Sequence, residues 1–545
     1  MDRNPFTMTE LREIAGKART ISERLDGVSN TRGDCGTENP AEFISLWADK
    51  YSDNSHFIRR LEIEDITPEE IRECVLAAQW PPSEPLPDWT ASIQDLVTSV
   101  EQLTLGHEFD IDAPAETPFP ELLQAIARYA RKQLPESIPK KVVAPMSEWL
   151  IKRLENLAAR TLYVEFKSFV NSQDTTLSHA DPDNYSDPPT EYYDKFIESM
   201  FNGGFKSFCI EYPVFARQTC GVIGFWCDTV EETYQRSLSD KPSLEPTFDI
   251  EGSIEALIPL ASDTHARGRV PIQVEFECGS VIYKPRNVDS GELFYKILGR
   301  LDEKLLTPDI PTPVYLSQDG YGWMEPVPYR DLSDSECAEE YYIRAGVMTC
   351  LSFLLNLNDC QLENVIATGD TPTIVDTETI LHPRLGYEKD TGPKRTRTLI
   401  EETPLMTHLL PYINGYQDDS DEATSDSVLL AGLGTESGKI EVPGVTIPTF
   451  EAINTDVMTV VPQNAKLDRT PNTPSIADDD YPPSDHASAL VEGFDRACTA
   501  VRQLYDDSNF YTPAMDSDSA AGIENRVLFR KTTRYASVLR DATGR

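Results

Sequence analysis

A chain of 545 residues exceeds one ordinary hydrophobic core, so two or three packed regions are expected. Hydrophobic residues make up 39% and aromatics 9% of it, enough to fill cores and too much for a disordered polymer. Its 91 acidic residues against 49 basic ones give a formal net charge of -42, which would repel a phosphate backbone and excludes a general nucleic-acid-binding role.

Apolar residues at Leu11, Ile14, Ala15, Ala18, Ile21 and Leu25 form the stripe of an amphipathic helix over Thr9 to Leu25. Pro-rich breaks at Pro81 to Pro87 and Pro114 to Pro120 separate further helical segments, so residues 1–145 are expected to be a helical region. A helix is expected from near Ser147 to about Phe169, a polar loop from Ser172 to Thr190, and a half-buried helix from Tyr212 to Leu238. At Val270 the period changes. Val270, Ile272, Val274 and Phe276 alternate with Pro271, Gln273 and Glu275, and the Gly279-Ser280 turn leads to a second strand from Val281 to Lys284. Helical spacing returns with Ile343, Val347, Leu351 and Leu354, between Tyr341 and Leu355. Two short strand-like runs, Val365 to Ala367 and Thr373 to Val375, flank a loop after it. The acidic stretch Asp418 to Asp426 and the Pro/Asp-rich stretch Gln463 to Pro483 are expected to be loops, and no repeat or heptad is present.

The acidic excess is spread over the whole length, as on a halophile protein whose self-repulsion is screened by concentrated salt. No apolar run approaches the roughly 20 residues that span a bilayer, and MDRNPFTMTELREI has no signal-peptide core, so a cytoplasmic location is expected. Ten cysteines without a C-x-x-C pair or a Cys-His cluster read as free thiols in a reducing compartment, with no zinc site.

Three spacings point to phosphoryl transfer. Lys284 ends a strand after a hairpin, where an ammonium reaches nucleotide phosphates. Asp359 and Asn364 stand five apart in the loop after a helix, the separation of base and metal ligand in the kinase loop H-R-D-x-x-x-x-N. Asp376 follows at the end of a strand, where kinases place a metal-binding aspartate. A triphosphate needs lysine and metal ions to offset its charge, a carboxylate orients or deprotonates the attacking hydroxyl, and Asn and Asp oxygens hold Mg2+. Singly, Lys284 reads as a surface lysine and a D-x-x-x-x-N spacing occurs often by chance; the order of lysine strand, helix, loop and aspartate carries the argument.

The stretch Ser262-Asp263-Thr264-His265-Ala266-Arg267-Gly268-Arg269 is similar to the G-D-x-H-x-x-G-R segment of class II (LanM-type) lanthipeptide synthetases. Val281-Ile282-Tyr283-Lys284-Pro285-Arg286 resembles their V-Y-K-P-R signature. Further matches are Tyr321-Gly322-Trp323-Met324-Glu325, Tyr341-Tyr342-x-Arg344-Ala345-Gly346 and the run from Val375 to Pro383. Asn454-Thr455-Asp456, Glu492-Gly493-Phe494 and the run from Arg526 to Thr532 follow, and IAGKARTISERL resembles the family's opening helix, so the likeness covers nearly the whole chain.

The resemblance implies an α+β fold: a lipid-kinase-like two-lobed catalytic core, residues 146–545, with an N-terminal helical region and added helical elements. Its N-lobe strands would lie at about 268–330, its catalytic loop at 359–364, its metal-binding segment at 373–383, and activation-loop-like and elimination segments at 384–545. The implied cofactors are ATP and Mg2+, and the implied partner is a ribosomal precursor peptide with a leader. Ser and Thr of that peptide would be phosphorylated, and the phosphate then eliminated to give dehydroalanine and dehydrobutyrine.

By position, Lys284 would bind ATP phosphate, Asp359 would orient or deprotonate the substrate hydroxyl, and Asn364 and Asp376 would hold magnesium with support from Glu378. Asp263, His265, Arg526 and Thr532 fall on the positions used for elimination, a step that needs proton-transfer groups and a cation at the leaving phosphate. Their plain readings are a turn for Asp263 and His265, an ion pair for Arg526 and a helix cap for Thr532. Two departures stand out. Gln361 replaces the family's loop histidine, so no titrating group is present there. Family members also continue into a zinc-dependent cyclase domain, which leaves cyclisation to a separate protein or makes the sequence part of a longer one. The rival readings are a kinase without elimination activity and a non-catalytic, pseudokinase-like module that binds a leader peptide.

Overall fold

The computed structural model describes residues 5–20, 22–24, 45, 48, 54–63, 66–67, 80, 82–260, 264, 266–302, 305, 310–383, 402–410, 431–434, 440–467, 472–477, 479–506 and 523–527. Helices and small antiparallel sheets share these residues, an α+β arrangement.

The first helix, α1 (Met8–Lys17), opens on a capping box in which Thr7 Oγ1 accepts from Glu10 N and Glu10 Oε2 accepts from Thr7 N. It stops well before the expected Leu25. Thr20 and Glu23 form a second reciprocal pair, Thr20 N to Glu23 Oε2 at 2.8 Å and Glu23 N to Thr20 Oγ1 at 3.2 Å, which restarts the helical path over 22–24. Helices α2 (Asn54–Ile63), α3 (Trp89–Glu101), α4 (Pro120–Arg131), α5 (Lys140–Gln173), α6 (Thr175–Ser178), α7 (Glu191–Ser199), α8 (Phe205–Glu211) and α9 (Pro213–Phe248) follow. Between Ser172 and Thr190, α6 and a single 3-10 turn interrupt the expected loop. Helix α9 runs past the expected Leu238 because its last turns are held: Asp240 Oδ2 accepts from Tyr321 Oη at 2.8 Å and Trp323 Nε1 at 2.9 Å.

A five-stranded antiparallel sheet in the order β1-β2-β3-β5-β4 packs against these helices. Its strands are β1 (Glu251–Pro259), β2 (Ile272–Cys278), β3 (Ser280–Lys284), β4 (Tyr315–Gln318) and β5 (Tyr321–Met324). The expected β2–β3 hairpin turns at Gly279, whose φ of +79° lies in the left-handed region that glycine adopts without strain. One hydrophobic core joins Ile93, Leu123, Leu150 and Trp226 from the helices to Leu257, Val274 and Val281 from the sheet.

A second core is built from α10 (Asp289–Asp302), α11 (Cys337–Leu354), the hairpin of β6 (Val365–Thr368) and β7 (Thr371–Ile374), and α12 (Ala487–Asp506). Phe294, Tyr341, Leu351, Ile374 and Ala497 lie at its centre. The Gln463 to Pro483 stretch is only partly a loop: β8 (Ile440–Glu451) pairs with β9 (Thr459–Leu467), and β10 (Ser475–Ile476) pairs with β11 (Asp479–Asp480). The acidic Asp418 to Asp426 stretch lies outside the described residues. Among the described residues no helix is long and apolar enough to cross a membrane.

Candidate active site

Strand β3 delivers Lys284 to the junction between the sheet and the second core. Its neighbour Tyr283 donates to Glu232 Oε1 at 2.7 Å and accepts from Arg236 at 2.5 Å, fixing the strand on α9. The Lys284 ammonium is buried and donates to Val375 O, just beyond β7. Burial pulls its pKa down to about 8, against the charge of Asp376 and with that of Arg286.

The loop after α11 is shaped by its own side chains. Asp359 has φ +66°, a left-handed conformation that Asp tolerates better than most residues. Asn364 Nδ2 donates to Asp359 O at 2.7 Å, and Val375 N donates to Asn364 O at 2.9 Å, so Asn364 ties the loop to the end of β7. Gln361 Nε2 donates to Asp359 Oδ1 at 2.8 Å: the residue in the histidine position orients the carboxylate without titrating. Leu381 N to Leu355 O at 2.8 Å and His382 N to Asn356 O at 3.2 Å bind the segment after Asp376 back onto the loop. Burial, together with the Asp359 and Asp376 carboxylates, holds the enclosed Cys360 thiol well above the usual thiol range.

Arg526 is remote in sequence yet docks on that segment. Its backbone N donates to Glu378 O at 2.7 Å and its guanidinium to Glu378 Oε1 at 2.7 Å, while Asn525 Nδ2 reaches Leu381 O at 3.2 Å. The other oxygen of Glu378 pairs with Arg286, which also donates to Asp376 Oδ2 at 2.6 Å. The structure thus brings Lys284, Asp376, Glu378 and Arg526 into one cluster, with Asp359 and Asn364 on the adjoining loop. Asp263, His265 and Thr532 lie outside the described residues. Sequence reasoning gave Arg286 no role. The signal was available, because Arg286 stands two residues after Lys284, the spacing of neighbours on one face of an extended chain.

Among the described residues no group of three His, Cys, Asp or Glu side chains forms a metal cage. The oxygen donors at hand are the Asp376 carboxylate and the Asn364 amide, a hard and sparse set of the kind Mg2+ completes with water and phosphate. Arg286 already places a cation on Asp376, so the position accepts positive charge. Glu378 has both oxygens engaged by guanidinium groups. A separate cleft of about 440 Å³ between α5, α7 and α8, floored by Phe169, Phe196 and Phe208, contains none of these residues.

A family described as "Domain of unknown function (DUF4135)" matches residues 212–545, a span that holds the whole cluster. The chain is also similar to the "Lacticin 481/lactococcin biosynthesis protein LcnDR2" of Lactococcus lactis subsp. lactis. The two are 23% identical over 305 residues, which cover 54% of this chain and 31% of that relative. The chain therefore spans less than a third of the relative's length.

Proposed function

The chain belongs to the DUF4135 family, and from that premise we propose that it is the dehydratase part of a class II (LanM-type) lanthipeptide synthetase. It would phosphorylate Ser and Thr of a leader-bearing precursor peptide with ATP and eliminate the phosphate to give dehydroalanine and dehydrobutyrine. The observation that carries this reading is the meeting of Lys284 with Asp376 on one side and of Arg526 with Glu378 on the other, beside the Asp359–Asn364 loop. Residues assigned to two half-reactions, from Lys284 near the middle of the chain to Arg526 near its end, share one cluster. The peptide-antibiotic biosynthesis named in the relative's description points the same way, and the two hydrophobic cores that meet at the cluster support a lipid-kinase-like, two-lobed reading.

In the first step the substrate hydroxyl, held by Asp359, attacks the terminal phosphorus of ATP, its proton passes to the carboxylate, and ADP leaves. Lys284 binds phosphate oxygens and offsets their charge. Asn364 and Asp376 would hold Mg2+, which when bound neutralises charge on the phosphates. In the second step a side-chain base takes the α proton, the Cα–H electron pair becomes the Cα–Cβ double bond as the Cβ–O bond breaks, and phosphate departs. Arg526 suits the departing phosphate because a guanidinium makes paired, charge-assisted hydrogen bonds. Asp263, His265 and Thr532 would serve the same step, with thioether closure left to a cyclase. A cytoplasmic setting with access to ATP fits this chemistry.

The test is mass analysis of a co-encoded Ser/Thr/Cys-rich precursor incubated with the protein, ATP and Mg2+ in high salt. The expected product has lost water. Asp359→Ala and Asp376→Ala should yield unmodified peptide. Arg526→Ala should accumulate phosphorylated peptide, raising the ratio of phosphorylated to dehydrated product at least tenfold. A parent protein that yields only phosphopeptide would replace this reading with the plain kinase, and one that leaves the peptide untouched while binding it would favour the leader-binding module.

A further inference from the structure

Arg286 leaves β3 just after Lys284 and bridges two carboxylates, Asp376 at 2.6 Å and Glu378. Glu378 has a second cationic partner in Arg526 at 2.7 Å. Along Arg526, Glu378, Arg286 and Asp376 the charges alternate, and the four sum to zero. The side chains are 33%, 12%, 21% and 17% exposed in that order, dry enough that a charge stripped of its partner is costly. A metal ion approaching Asp376 therefore meets a position already filled by a cation.

We infer that Arg286 is a movable counter-ion: it holds Asp376 while no metal is bound, and when a divalent cation takes Asp376 it pivots on Glu378 and turns its freed N–H groups to the nucleotide phosphates. Charge drives the exchange. A divalent ion added to a neutral set of four leaves two positive charges in excess, which a triphosphate offsets. Glu378 stays paired through Arg526 during the move, so releasing Asp376 to the metal strands no carboxylate. A guanidinium suits this role because its planar fork serves two oxygen partners at once and binds carboxylate and phosphate with the same geometry. Arg286 is on this account a positioning residue for the metal and a direct contact for the phosphates. The inference rests on the phosphoryl-transfer reading for the identity of metal and nucleotide.

The test uses the full chain, Mn2+ alone as one probe, followed by the electron paramagnetic resonance of the free ion, and a non-hydrolysable Mn-ATP analogue as the other, followed by calorimetry. Removing the competitor in Arg286→Ala should tighten binding of Mn2+ alone at least threefold and weaken binding of the Mn-ATP analogue at least threefold. Arg286→Gln keeps a donor for both carboxylates without the charge. It should shift the two affinities in the same opposed directions, and it serves where the alanine variant fails to fold. A purely structural arginine would move both affinities one way or neither. If the unaltered chain binds both probes but the variants bind Mn2+ no more tightly, the counter-ion inference is overturned and the phosphoryl reading stands. If the unaltered chain binds neither probe saturably, both are overturned together.

Discussion

On the proposed reading Lys284 must carry its charge at a place where burial opposes charge. Its pKa of about 8, against 10.5 for an unburied lysine, means that the folded protein binds a proton there less readily than the unfolded chain. Below about pH 8 both states carry the proton and the full cost of burying it is present; between about 8 and 10.5 the unfolded state holds more protons, so this contribution to stability becomes more favourable as pH rises. Lys284→Met should therefore stabilise the fold at pH 7, by roughly 1–3 kcal/mol, with the gain fading by pH 10.5 in a thermal-melt series. Nucleotide affinity should run the opposite way in the parent protein, falling as pH rises above about 8 because the phosphate-binding form is the ammonium. A variant destabilised at pH 7, or an affinity flat from pH 7 to 9.5, would contradict this. The lysine was legible in sequence because alternation and a turn place it at a strand end. The alternation of Arg526, Glu378, Arg286 and Asp376 was not, since it exists only once residues 286, 376–378 and 526 meet in space.

Helices α11 and α12 cross at two glycines, and the loop bearing Asp359 follows the C-terminal end of α11. A Cβ on Gly346 would overlap Leu490 O and the Phe494 amide, and one on Gly493 would overlap Ile343 O, all backbone atoms that cannot rotate away. Gly346→Ala must separate the helices, at a cost of roughly 1–3 kcal/mol or more, and should lower both the melting temperature and any activity that needs the loop. Gly221→Ala in α9 is the control: its Cβ would meet nothing within 4 Å, so the exchange should be neutral or stabilising by roughly 0.5–1 kcal/mol. Equal melting temperatures for the two variants would show that the close approach costs nothing. Sequence periodicity found α11, whose apolar spacing is regular, the β2–β3 hairpin, which alternates around a turn, and the two strand-like runs that pair as β6 and β7. It missed β1, whose register shifts between Glu251 and Ala256 break the two-residue period. It also missed the β8–β9 ribbon, which carries Pro443, Pro448 and Pro462. Proline removes ladder donors and reads as loop, yet a ribbon of two strands has only edges and tolerates it.

At the scale of the whole molecule the governing quantity is the net charge of -42. Local pairing does little to offset it. Many of the ion pairs are exposed contacts one helical turn apart, such as Lys195 with Glu191, Lys296 with Glu292 and Arg496 with Glu492, and exposed pairs of this kind contribute little. The repulsion among the unpaired carboxylates must be met by solvent ions. The screening length is about 10 Å at 0.1 M salt and about 3 Å at 1 M, so only concentrated salt confines each surface carboxylate to its nearest neighbours. The melting temperature should consequently climb by ten degrees or more between dilute buffer and about 2 M KCl, and uncharged sucrose at matched osmolality should reproduce little of the gain. ATP feels the same field from outside. In a cationic site on a neutral protein, salt slows nucleotide binding; here the bulk of the molecule repels the tetra-anion, so the association rate of a fluorescent ATP analogue in stopped flow should rise as salt is added. The dissociation rate should change less, because Lys284 is buried and Arg286 and Arg526 are partly so, and buried pairs are weakly screened. Stability and association rate thus respond to salt in the same direction for one electrostatic reason. Identical melts in dilute and molar salt, or an association rate that falls with salt, would show that the charge is balanced locally and that the acidic surface is not an adaptation to brine.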